Sequence, residues 1–216
     1  MTTILELKKV TKTYGERVIL KNFDIEIKQQ QFITIVGESG SGKSTLINIL
    51  GLLEDFNEGE LLVNGRGQLS KKEILRCKRY MFGYIFQDYA LIPGDTVKQN
   101  LKISLKYRQD RSEQSLEDVM NKVGLDKSFL TKKVYTLSGG EQQRVAIART
   151  ILKPCQIILA DEPTGNLDDD NSEKIIQLLK QLQNDGKTII CVTHDQRIAD
   201  IADQSYEIIK LGRKTI

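Results

Sequence analysis

The stretch Gly37-Glu38-Ser39-Gly40-Ser41-Gly42-Lys43-Ser44-Thr45 constrains this chain more than any other. It fits the pattern G-x-x-x-x-G-K-[ST]. Before it lies Phe32-Ile33-Thr34-Ile35-Val36, a nearly continuous apolar run, which is how a strand buried on both faces reads. After it, Ser44-Thr45-Leu46-Ile47-Asn48-Ile49-Leu50 continues as a helix. Wrapping a triphosphate takes consecutive backbone N–H groups, and a Cβ in the way obstructs the approach. Gly37, Gly40 and Gly42 remove that obstruction, and the whole segment, with Glu38, Ser39, Ser41 and Thr45, is the candidate phosphate-binding loop. The following helix turns its positive end to the phosphates. Lys43 is expected to reach the β- and γ-phosphates, and Ser44 to ligate Mg²⁺.

The rest of the chain supplies a matching frame. Ile4-Leu5-Glu6-Leu7 and Phe23-Asp24-Ile25-Glu26-Ile27 alternate apolar and polar, which predicts a half-buried antiparallel flank. Residues 96–121 read as helical and heavily charged. Later the pattern alternates again: a helix over 140–152, a strand over 156–160, a helix over 172–184 and a strand over 187–193. In the second helix Ile175, Leu178, Leu179 and Leu182 form one apolar stripe. Strands alternating with helices imply a parallel sheet with right-handed crossovers. The expected architecture is one α/β core with a helical insertion and an antiparallel flank.

Two further segments carry chemistry. Ile157-Ile158-Leu159-Ala160-Asp161-Glu162 is an apolar strand ending in two carboxylates, and ligands of open α/β sheets sit at such strand ends. Asp161 is the candidate Mg²⁺ holder, and Glu162 the group that polarises an attacking water. In Leu137-Ser138-Gly139-Gly140-Glu141-Gln142-Gln143-Arg144, Ser138 reads as an N-cap and Glu141 as its capping-box partner. Gly139 and Gly140 in the first turn would leave N–H groups bare, a second anion-binding helix end. One chain with two half-sites points to two chains paired head to tail, each nucleotide held between the loop of one and the Ser138 terminus of the other.

These motifs, in this order, closely resemble those of the ABC-type ATPases, the nucleotide-binding subunits of ABC transporters. The resemblance runs from Tyr14 to about Leu211 and implies a P-loop NTPase of ABC type. It implies an ATPase domain over 1–216, with a RecA-like core and antiparallel flank over about 1–85 and 156–216 and a helical signature subdomain over about 88–145. By resemblance, Tyr14 stacks on adenine, Gln87 touches Mg²⁺ and the attacking water, Asp168 leads a loop across the dimer interface, and His194 contacts the γ-phosphate. ATP and Mg²⁺ are the implied ligands. The implied partners are a second copy of the chain and a separate transmembrane permease, which would hold it on the cytoplasmic face of the membrane. Ala160-Asp161-Glu162-Pro163-Thr164-Gly165-Asn166-Leu167-Asp168 is similar to the subgroup serving lipoprotein release, macrolide or peptide export, cell division and bacteriocin export.

Composition sets the exclusions. Of 216 residues, 39% are hydrophobic and 28% charged, an ordinary globular balance, so disorder is not expected. No apolar run approaches the ~18 residues of a membrane span, and Met1-Thr2-Thr3-Ile4-Leu5-Glu6 does not read as a signal peptide. Cys77, Cys155 and Cys191 have no CxxC spacing and read as reduced thiols, and His194 is the sole histidine, which excludes a multi-histidine metal centre. The basic stretches 66–79 and 98–111 read as solvated helix faces, or as surfaces near anionic headgroups. A soluble ABC ATPase on nucleic acid is disfavoured, because no long coiled-coil insertion and no second ATPase domain is present. An ABC ATPase of a regulatory, non-transport membrane complex remains an alternative with the same chemistry.

Overall fold

The computed structural model describes residues 2–106 and 114–209. In chain order the strands are β1 (Thr3–Tyr14), β2 (Arg17–Lys28), β3 (Phe32–Val36), β4 (Glu58–Val63), β5 (Phe82–Ile85), β6 (Ile157–Asp161), β7 (Thr188–Val192) and β8 (Gln204–Glu207). The helices are α1 (Lys43–Leu50), α2 (Lys71–Tyr80), α3 (Val97–Leu105), α4 (Gln114–Lys122), α5 (Gly139–Ile151), α6 (Asp169–Asn184) and α7 (Gln196–Ile201). Two 3₁₀ turns, Lys127–Thr131 and Val134–Thr136, lead into α5.

The strands form two sheets. One is antiparallel with order β2-β1-β4, and the other is parallel with order β5-β6-β7-β3-β8. Along β6, Ile158 and Ala160 enter one apolar cluster while Ile157 and Leu159 enter another. In β7, Ile189 and Cys191 join the first cluster, Ile190 and Val192 the second. A period of two therefore feeds two cores, which is why these strands read as unbroken apolar runs. The second core lies between the two sheets and takes in α1 through Leu46, Ile47, Ile49 and Leu50. The first is shared by the parallel sheet and the helical insertion: Leu101 of α3, Leu116 of α4 and Ile147 of α5 lie in one cluster with Phe32 and Ile158. Each fully buried side chain of this kind contributes ~1.5–3 kcal/mol.

The α/β architecture with an antiparallel flank and a helical insertion is the expected one; its details differ. Strands β1 and β2 each run 12 residues, well beyond the short alternating segments that announce them. Bulges interrupt their alternation, with Lys9 and Asn22 at φ 48° and 47° and register shifts nearby. Helix α6 starts at Asp169 rather than 172, because Asp168 caps it. Of the stretch 96–121, α3 and α4 are helical and 107–113 lies outside the described residues, as do part of the 98–111 basic stretch and Leu211. The 66–79 stretch does contain a helix, α2, opened by a Ser70–Glu73 capping box. All three cysteines are free, and burial raises the thiol pKa of each. Among the described residues, no helix is long and apolar enough to cross a membrane.

Candidate functional site

A parallel sheet puts the carboxyl ends of all its strands on one edge, and this edge builds the site. After β3 comes the glycine-rich loop, after β5 Gln87, after β6 Glu162, and after β7 His194. All four reach one open cleft of about 610 Å³, lined by Gly37, Ser39, Gly40, Gly42, Lys43, Ser44 and Thr45 of the loop and by Gln87, Glu162, His194 and Tyr14.

The loop is shaped for a close-approaching anion. Gly42 has φ 104°, and a Cβ there would fall 2.5 Å from Ile19 Cγ2, so only glycine is accommodated. Gly42 is also the N-cap of α1 and supplies no side-chain cap, which leaves the N–H groups of the first turn without one. Ser41 is buried, and its hydroxyl has no hydrogen-bond partner among the described residues. Lys43 is 8% exposed, and its Nζ donates to the loop's own carbonyls, Gly37 O at 2.7 Å and Glu38 O at 3.0 Å. The cation is thereby held inside the loop. A phosphate group fits this cradle: it would accept from bare amides, from Lys43 and from the orphaned Ser41 hydroxyl.

Next to the loop, the Ser44 hydroxyl donates to Asp161 Oδ1 at 3.3 Å. Burial raises the Asp161 pKa, and the Ser44 hydrogen bond works against that rise. A hydroxyl and a carboxylate side by side are the hard oxygen donors that suit Mg²⁺. Glu162 sits in the left-handed region at φ 45° although a proline follows, a backbone state that costs ~1–3 kcal/mol. Neighbours hold it there. Its N–H donates to Val192 O at 2.9 Å, and its Oε2 accepts from His194 Nδ1 at 2.8 Å and from the His194 backbone N–H at 3.3 Å. The carboxylate therefore faces the cleft under restraint. Gln87 is tied to the loop between β6 and α6 through its carbonyl, which accepts from Asn166 Nδ2 at 3.4 Å.

Tyr14 is half exposed, and its hydroxyl donates to the Glu54 carboxylate. The Lys12 ammonium lies 4.7 Å from its ring centroid and 2.9 Å from the same carboxylate. Two wall residues had escaped sequence reading, Arg17 and Ile19. Arg17 pairs with Tyr14 across the β1–β2 hairpin and donates from Nη2 to Gly40 O at 3.0 Å. The available signal was the Gly15-Glu16 turn, which sets Arg17 opposite Tyr14 once the two strands are extended to meet it.

Ser138, Gly139, Gly140, Glu141 and Asp168 do not line this cleft. Ser138 and Glu141 do form the capping box: Ser138 Oγ accepts from Glu141 N–H, and Glu141 Oε2 accepts from Ser138 N–H at 2.7 Å. Gly140 has a reason to be glycine that differs from the expected one. A Cβ there would lie 2.4 Å from Asn171 Cγ, so the residue makes room for a side chain of its own chain. Asp168 is likewise engaged within its chain. It caps α6 by accepting from Asn171 N–H at 2.8 Å, and these hydrogen bonds hold its carboxyl below the usual range. Asn171 links the set, since it donates to Asp168 Oδ2 at 2.9 Å and accepts from Arg144 Nη1 at 2.9 Å.

Comparison with known proteins agrees with this geometry. The family model described as ABC transporter matches residues 20–165. The ABC transporter ATP-binding protein MJ0796 of Methanocaldococcus jannaschii is 43% identical over 215 residues, which cover 93% of this chain and 91% of that protein. The macrolide export ATP-binding/permease protein MacB of Pasteurella multocida is 40% identical over 93% of this chain. The chain spans about a third of the length of that MacB relative (32%). A dimeric structure of the MJ0796 ATP-binding cassette, in a post-hydrolysis state with ADP and Pi, superposes with a TM-score of 0.87 at 40% identity, covering 96% of this chain and 95% of that one.

Proposed function

For a chain that belongs to the ABC transporter family as an ATP-binding cassette, we propose that it hydrolyses ATP at a head-to-tail homodimer interface and drives a separate membrane permease. The export of a peptide, bacteriocin, drug or lipoprotein is the proposed outcome, and the MacB relatives, named for macrolide export, support that direction.

The observation that carries the reading is the gathering of Lys43, Ser44, Gln87, Glu162 and His194 around one cleft whose walls omit Ser138–Glu141. The amides of the glycine-rich loop and Lys43 hold the β- and γ-phosphates, and Tyr14 stacks on adenine. Mg²⁺, held by Ser44 and Asp161 with Gln87 beside them, would neutralise charge developing on the phosphate oxygens. Glu162 accepts a proton from the attacking water, its carboxylate held in place by the His194 contact. His194 is 70% exposed at its side chain, so it remains free to contact a γ-phosphate. The missing lid comes from a second chain, whose Ser138–Glu141 helix end closes over the nucleotide with Asp168 at the interface. The dimeric MJ0796 cassette supports such an arrangement.

The test is Glu162→Gln in the full chain with ATP and Mg²⁺. Turnover should fall at least ~100-fold, as expected for loss of a general base, while ATP binding persists and an ATP-dependent dimer accumulates in size-exclusion chromatography with light scattering. A variant that stays monomeric at saturating ATP overturns the shared site, and one that keeps its turnover overturns the role of Glu162.

A further inference from the structure

We propose that the cleft between α4, α5 and α6 is a second anion site, and that it takes a phosphate group, free or as a monoester. This cleft, of about 370 Å³, lies apart from the walls of the nucleotide cleft. Lys122 and Gly124 wall it at the end of α4, Arg144 on α5, and Lys174, Gln177 and Gln181 on α6. Three cations thus come from three elements, and no carboxylate stands among the described walls. Of the nearby acids, Asp185 pairs with the wall residue Lys122 and Glu173 accepts from Gln177 Nε2 at 3.0 Å, while Glu141 closes the capping box on Ser138 and Asp168 caps α6. The positive charge offered to an anion is therefore chiefly that of Arg144 and Lys174.

Arg144 gives the cleft its demand for a ligand. Its Nη1 donates to Asn171, but its Nε is buried with no hydrogen-bond partner among the described residues. Native structures rarely leave a buried donor of a charged group unpaired. Burial also works against the guanidinium's charge, and an anion in the cleft would relieve both penalties. Donors on several sides favour a phosphate, whose oxygens point in tetrahedral directions, over a carboxylate, whose two oxygens share a plane. The cleft joins the helical insertion to the core, and Arg144 reaches Gly140 through Asn171, so an anion here would brace the start of α5.

The experiment uses the ¹⁵N-labelled full chain saturated with ADP and Mg²⁺, so that the nucleotide cleft is occupied. Inorganic phosphate and glycerol phosphate are titrated separately while the Arg144 Nε–H resonance, assigned with Arg144→Lys, is followed. A saturable shift at millimolar phosphate is expected. Lys174→Glu and, independently, Gln177→Glu should each raise the dissociation constant at least ~10-fold by setting a like charge against the anion, with ADP affinity unchanged within about twofold. Co-sedimentation with phosphatidic acid vesicles but not phosphatidylcholine vesicles, lost in Lys174→Glu, assigns the phosphate to a lipid headgroup; soluble binding alone assigns it to a free anion. Either result supports the site. No saturable shift up to about 10 mM phosphate, or equal affinity in both variants and the parent, overturns it.

Discussion

Replacing Gly140 by alanine sets two effects of opposite sign against each other. Alanine is the better helix former by ~1 kcal/mol, and Gly140 lies within α5. On helix propensity alone the variant would be more stable. The added Cβ, however, would lie 2.4 Å from Asn171 Cγ and 2.5 Å from its Oδ1. Carbon atoms settle at ~3.5–4.0 Å, so the two must part by about 1 Å. Asn171 is not free to give way, because it accepts from Arg144 and donates to both oxygens of Asp168. The bond from the Arg144 guanidinium is of a kind that contributes ~1.5–3 kcal/mol. Set against the ~1 kcal/mol of helix propensity, overpacking wins by about 0.5–2 kcal/mol. For a chain of this size that lowers Tm by roughly 1–8 °C. Thermal unfolding without nucleotide reads this directly and keeps any role of Gly140 in nucleotide binding out of the measurement. Asn171→Gly in the Gly140→Ala background removes the obstruction, so the two substitutions should couple by ~1 kcal/mol or more rather than add. A Gly140→Ala protein as stable as the parent, or strictly additive effects, would refute the reasoning.

Lys43→Ala should reduce ATP affinity at least ~10-fold in equilibrium binding, since the loop loses its one buried cation beside the carbonyls of Gly37 and Glu38; unchanged affinity would contradict the phosphate-loop assignment. Tyr14→Ala removes a base–aromatic contact of ~1–3 kcal/mol, so ATP should bind about 5- to 150-fold more weakly, with a similar loss for ADP. A third outcome concerns pH. The Arg197 hydrogen bond is the main cause that lowers the Asp195 pKa, with Thr164 assisting. A carboxyl depressed in the folded state contributes stability above its unfolded value of ~3.9 and loses it as pH falls through the folded one. The stability gap between the parent and Arg197→Ala should be full at pH 7 and close on acidification below about pH 4 in urea titrations.

The candidate site was legible to the extent that its parts are contiguous. Gly37–Thr45, Asp161-Glu162 and Ser138–Glu141 each carry their chemistry within a few residues, and each adjoins a strand or helix with a plain periodic pattern. The 12-residue strands were not legible, because the bulges at Lys9 and Asn22 break the alternation that would extend them. Arg17 was hidden for the same reason, since its place in the cleft wall depends on the hairpin running out to Gly15. The start of α2 carries a local signal of its own, the Ser70-x-x-Glu73 capping box. Strand β5 is short, and Gly83 weakens its strand pattern. That glycine is explained only by a neighbour: a Cβ would lie 2.6 Å from Thr150 Cγ2 and 2.9 Å from Cys155 Sγ.

Residue order alone settled which groups bear charge and which segments are apolar on both faces, because hydrogen-bonding capacity and periodicity are local properties. Sheet order decided the rest. Only the β5-β6-β7-β3-β8 arrangement brings Gln87, Glu162 and His194 to the edge where the glycine-rich loop opens. Only packing turned Gly140 from a bare helix terminus into the seat of Asn171, and left Arg144 Nε buried without a partner among the described residues. Such relations join residues 30 to 160 positions apart. They arise from close packing of two cores against one sheet, which no short window of sequence contains.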